Sequence, residues 1–89
     1  MERTVYMAPE RVDTKNKKIV DQELEAILDS GVKELVFDMA NMKYISSAGL
    51  RILIDKEQKL DGGFYLAHVP QAVKEILEVT GFTNIMKIL

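Results

Sequence analysis

The spacing of hydrophobic positions changes several times along the chain, and each change marks an element. From Arg3 to Met7 apolar and polar residues alternate among β-formers, predicting a strand stopped by Ala8-Pro9. After "RVDTKNKK", Val20, Leu24, Ile27 and Leu28 recur at helical spacing, predicting an amphipathic helix with Gly31 as its stop. A short apolar run, Leu35 to Met39, has the character of a buried strand. The helical period then returns, with Leu50, Leu53, Ile54 and Leu60 on one face and Asp61-Gly62-Gly63 as its end. "FYLAHV" predicts a strand that contains His68 and closes at Pro70. "QAVKEILEVTG" predicts a third helix with Val73, Ile76 and Leu77 inward and Gly81 as its stop, and "NIMKIL" a last short strand.

The order is therefore β-α-β-α-β-α-β. Such alternation predicts an α/β fold with a mostly parallel four-stranded sheet and three crossover helices. Residues 1–89 read as a single domain, without a linker, internal repeat or low-complexity tract. In open α/β sheets the working site lies beyond the carboxyl ends of the strands, near helix N-termini. The stretch "YISSAGLR", after Asp38 and through Ser46 and Ser47, occupies that place.

Composition narrows the chemistry. Apolar residues make up 47% of the chain and charged residues 29%, an ordinary globular balance. No cysteine is present, so disulfides, thiolate metal sites and thiol nucleophiles are excluded. The start, "MERTVYMAPER", carries no apolar leader core, and no run reaches the length of a membrane span, so a cytoplasmic protein is expected. With 12 basic against 14 acidic residues there is no broad basic excess of the kind nucleic-acid binding requires. The one basic cluster, Lys15, Lys17 and Lys18, reads as a solvated face at a helix entrance.

The serines have two readings. One of them can cap the helix that begins near Ala48, an interaction worth about 1 kcal/mol. The other reading is a chemical handle. A hydrolase elbow needs G-x-S-x-G, whereas Ile45 stands at the first glycine position here, and His68 is the one histidine. Phosphate-binding glycine loops are absent, and one histidine with scattered acids makes no zinc site. Asp13, Asp29, Asp38 and Asp55 read as turn, cap and surface residues rather than ligands of a hard cation. No catalytic residue, metal or cofactor is expected. What remains is a serine that is acted upon. A phosphate there would face free backbone N–H groups at the helix N-terminus while adding negative charge beside Asp38 and Asp13. Ile52, off the inward face and next to Arg51, is expected to be exposed as part of a partner patch.

With these elements, "DMANMKYISSAGLRIL" resembles the STAS domain, the fold of bacterial anti-sigma factor antagonists. Asp38 matches the aspartate ending a strand, Ser47 the phosphoacceptor, and Gly49-Leu50 the Gly-Leu pair. "ERVDTKN" is similar to the segment whose aspartate, here Asp13, lies close to the phosphoacceptor, and "TGF" at Thr80-Gly81-Phe82 to the closing helix stop. Ser46 stands where an acidic residue often precedes the phosphoacceptor, which makes it the alternative site. Ala48 stands where many members have Ser or Thr. The resemblance implies partner switching. The unphosphorylated antagonist binds an anti-sigma factor with serine kinase activity, phosphorylation on Ser47 releases it, and a phosphatase of the PP2C class restores it. Asp13, Asp38, Ser46, Ala48, Gly49, Arg51 and Ile52 would form the partner surface. A scaffold or ligand-sensing module of a transport or signalling assembly, never phosphorylated, is the alternative role within the family. The resemblance also implies that the usual first strand and last helix are lacking, leaving a sheet edge through which a homodimer could form.

Overall fold

A computed structural model describes residues 3–89. Its elements are β1 (Thr4–Met7), β2 (Arg11–Val12), α1 (Lys17–Asp29), β3 (Leu35–Asp38), β4 (Tyr44–Ile45), α2 (Ser47–Leu60), β5 (Phe64–Ala67), α3 (Gln71–Val79) and β6 (Lys87–Ile88), with a 3-10 turn at Phe82–Asn84. Four strands form one sheet in the order β1-β3-β5-β6, and every pairing is parallel. The α/β reading with three helices and four main strands holds.

All three helices lie on the same face of the sheet. The core joins Leu35 and Phe37 of β3 and Phe64 and Leu66 of β5 to Val20 and Leu24 of α1, Leu50 and Leu53 of α2, and Val73 and Leu77 of α3. These strand residues alternate, so they point to one side. Val5 and Met7 of β1, on the other parity, are exposed. A sheet that advances in one direction through right-handed crossovers must carry its helices this way. β1 forms one edge of the sheet and β6 the other.

The start of β5 is fixed by a close backbone approach. The Leu35 N–H donates to the Gly63 carbonyl at 2.8 Å, and a Cβ at Gly63 would overlap the carbonyl oxygen of Lys33. Only glycine fits between the end of α2 and β3.

Two predicted boundaries differ from the structure. The strand "FYLAHV" stops at Ala67, and His68 takes a left-handed conformation with φ of 53°. The closing strand is shorter than "NIMKIL", because Gly81 (φ 79°) leads into the 3-10 turn and the N–H groups of Ile85 and Met86 both donate to Phe82 O.

The contact between α1 and α2 has a polar centre. The Lys56 side chain is 0% exposed, and its ammonium donates to Asp21 at 2.5 Å, Glu25 at 2.6 Å and Asp55 at 2.9 Å. Glu25 also accepts from Lys59 at 2.8 Å. Asp21, Glu25 and Asp55 form an acidic cluster among the described residues, and the Lys56 ammonium lies within hydrogen-bond reach of all three. Asp55 is thus part of a network rather than an isolated surface acid. Burial acts to lower the Lys56 pKa, but the three carboxylates outweigh it and raise the value. Glu25 is held below its ordinary value of 4.5 by its bonds to Lys56 and Lys59. Asp55 is held below 3.8, chiefly by its bond to Lys56.

These depressed carboxylates stabilise the fold above their ordinary values, and that contribution is lost as pH falls through the lower folded values. The Lys56→Met protein is expected to be less stable than the parent near neutral pH, because three carboxylates then face one another. The gap should narrow once the acids are protonated. Urea melts at neutral and acid pH measure it, and a gap that does not change with pH would contradict the assignment.

Candidate functional site

Two short strands absent from the sequence reading assemble the site. β2 pairs in parallel with β4, Arg11 opposite Tyr44 and Val12 opposite Ile45. The Lys43 N–H donates to Glu10 O at 2.6 Å and the Ser46 N–H to Val12 O at 2.8 Å. Asp13 and Ser46 are therefore neighbours at the same end of this pair. The Arg11 guanidinium lies 5.4 Å from the Tyr44 ring centre and adds a contact across the pair.

Asp13 organises the turn into α1. Its carboxylate accepts the N–H groups of Lys15 (2.9 Å) and Asn16 (3.3 Å) and the Arg11 guanidinium (3.0 Å). Asn16 Oδ1 in turn accepts the Asp13 N–H at 2.9 Å. Partial burial acts to raise the Asp13 pKa, but the two N–H groups and Arg11 together hold it below the ordinary 3.8. The carboxylate expected near the phosphoacceptor is thus a fixed negative charge with a structural role of its own.

The two serines divide their roles. Ser46 is the N-cap of α2, with extended backbone, and its Oγ accepts the Gly49 N–H at 3.2 Å. Ser47 is the first helical residue, exposed, and its hydroxyl makes no hydrogen bond among the described residues. The backbone N–H groups of Ser47 and Ala48 belong to the turn that has no intrahelical acceptor.

Gly49 is buried beneath this surface. A Cβ there would lie 2.8 Å from Ile45 Cγ1 and 2.9 Å from Val12 Cγ1, so glycine allows α2 to sit against the β2–β4 pair. Its part in any partner surface is to set the helix in place. Ala48 is half-buried and Arg51 exposed. Ile52, expected to be exposed, is half-buried and packs against the core, because α1 runs alongside α2 and covers that flank. It lines a groove of about 360 Å³ with Lys17, Lys18, Asp21, Arg51 and Asp55.

Asp38 has different partners. At the end of β3 its Oδ1 accepts the Ala40 N–H at 2.9 Å, and both carboxylate oxygens lie 3.1 Å from His68 Nδ1. The Asp38 side chain is 13% exposed and that of His68 69%. The imidazole therefore covers the carboxylate and ties the loop after β5 to the end of β3. No hydrogen bond among the described residues joins His68 to either serine. This pair has no trace in the residue pattern, since a left-handed histidine beyond a strand has no periodic signature.

The STAS domain family model matches residues 2–89. Over 80 residues the chain is 34% identical to a protein of Bordetella bronchiseptica named as an anti-sigma factor antagonist, BtrV, a match spanning 86% of this chain and 69% of that one. Among solved structures, an anti-sigma factor antagonist from Mycobacterium paratuberculosis superposes with a TM-score of 0.88 at 22% identity, covering 97% of this chain and 75% of the other. A sulfate transporter family protein from Wolinella succinogenes superposes with a TM-score of 0.75 at 18% identity, over 97% and 75% of the two chains.

The division between the serines is testable by stability alone. Ser46→Ala is expected to cost about 0.5–2 kcal/mol through loss of the cap. Ser47→Ala should stay within about 0.5 kcal/mol of the parent, as exposed sites without partners do. Urea unfolding of both variants checks this, and a larger loss for Ser47→Ala would reverse the assignment.

Proposed function

Because the chain belongs to the STAS domain family, we propose that it is an anti-sigma factor antagonist that works by partner switching. Unmodified, it binds an anti-sigma factor with serine kinase activity and so frees a sigma factor in the cytoplasm. Phosphorylation of Ser47 by that partner ends the complex, and a phosphatase of the PP2C class renews it. The protein is the substrate of this chemistry rather than its catalyst. The observation that supports the reading best is the Ser47 hydroxyl, exposed at the first position of α2 and free of the capping role that Ser46 carries. Identity to the Bordetella relative supports the choice of role within the family.

The docking face in this reading is the end of the molecule where α1 and α2 begin. Asp13 contributes a fixed charge beside Ser46, and Arg51 and Ile52 continue the face along α2. Asp38, engaged by His68, acts by shaping the neighbouring loop. A phosphate on Ser47 brings nearly two negative charges to a face that already holds Asp13, which a docked partner would meet as repulsion and desolvation. The outer edge of β1, without a partner strand among the described residues and with Val5 and Met7 exposed, is where a second copy would add in a homodimer.

Incubation with candidate anti-sigma factor kinases, ATP and Mg²⁺, followed by phosphosite mapping, tests the reading. Ser47 is expected to carry the phosphate, Ser47→Ala to abolish it, and Ser47→Asp to weaken the complex by about tenfold or more. Full modification of Ser47→Ala would move the site to Ser46. A protein isolated from its own cells with no phosphate under any condition would favour the scaffold or sensing role instead.

A further inference from the structure

Three cations without an ion-pair partner among the described residues meet at one groove. Lys17 and Lys18 come from the first turn of α1 and Arg51 from α2. Arg3, Arg11, Lys43, Lys56 and Lys59, by contrast, are each paired with a carboxylate. The two acids lining the same groove, Asp21 and Asp55, are both bonded to the Lys56 ammonium at 2.5 and 2.9 Å. Lys56 and Lys59 offset all but one of the charges on Asp21, Glu25 and Asp55, so Lys17, Lys18 and Arg51 leave the groove net positive.

Ser47 stands one helical turn before Arg51. Residues four apart on a helix have Cβ atoms about 5–6 Å apart. Helical side chains also tilt toward the N-terminus, a direction that puts an arginine at position 51 within reach of the turn that carries Ser47. A phosphoserine offers three acceptor oxygens and nearly two charges, and a guanidinium pairs with a phosphate through two parallel hydrogen bonds.

Resting on the reading that Ser47 is modified, we infer that the mouth of the α1–α2 groove is a phosphate seat in cis. Arg51 takes the phosphoryl group of Ser47, with Lys17 and Lys18 supplying further positive charge across the groove. The modification then does more than add negative charge to the docking face. It also withdraws from the partner the three cations that an acidic segment would need.

The test uses the full chain with phosphoserine genetically encoded at position 47, so that no kinase is involved. Phosphorus NMR follows the second phosphate ionisation against pH. The midpoint is expected below the ordinary value of about 6. Arg51→Gln should raise it by about 0.5 or more, and a Lys17→Gln, Lys18→Gln double variant by a smaller amount. Lys74→Gln, an exposed position on α3, is the control for general charge and should leave it unchanged. Equal midpoints in the parent, Arg51→Gln and the lysine double variant would overturn the seat and leave the helix N-terminus as the sole influence. That result would not bear on whether the kinase modifies Ser47. Failure of the kinase reaction, in turn, would leave these midpoints as they are.

Discussion

The buried ammonium of Lys56 sets the relation between the two helices that frame the site. Taking such a charge out of water costs on the order of several kcal/mol, recovered only where its partners converge with good geometry. Asp21 and Glu25 come from α1 and Asp55 from α2, so the three carboxylates converge in one register of the two helices. A slide of α1 along α2 would strand the ammonium, whereas an apolar contact would tolerate it. The network thus selects one arrangement more than it adds stability. That arrangement places Lys17 and Lys18 opposite Arg51.

A second constraint acts at the other side of α2. The helix rests on the β2–β4 pair through Gly49, against Ile45 and Val12. That pair also holds Asp13 beside Ser46. The N-terminus of α2 is therefore fixed from below by close packing and from the flank by ion pairing. The first turn, with the Ser47 hydroxyl, is left facing outward on a rigid base. Sites built on helices in this way hold their geometry better than sites on free loops.

The order of elements was legible because each main strand and helix carries its own hydrophobic period. Leu35, Phe37, Phe64 and Leu66 in the core, and the buried faces of the helices, follow from that period. β2 and β4 were not legible, since two residues cannot show a repeat, and yet they bring the candidate residues together. Lys56 was hidden for another reason. A lysine between apolar helix positions reads as a side chain that reaches water, and two of its three acids lie 31 and 35 residues away along the chain. The choice between Ser46 and Ser47 as cap turned on a boundary of one residue, which sequence patterns do not resolve. Ile52 failed for want of the neighbour: its exposure depended on where α1 would lie.

The adjacent serines separate two kinds of failure. With the cap on Ser46 and the free hydroxyl on Ser47, damage to the first changes how much folded protein a cell keeps, through marginal stability and turnover. Under the proposed switching role, damage to the second would change what the folded protein can report while leaving its abundance alone. A single serine doing both jobs would tie dosage to signal, because a phosphate on the capping oxygen would alter the helix it supports. If Ser47 is the switch proposed above, two consecutive hydroxyls let abundance and message vary, and be selected, independently.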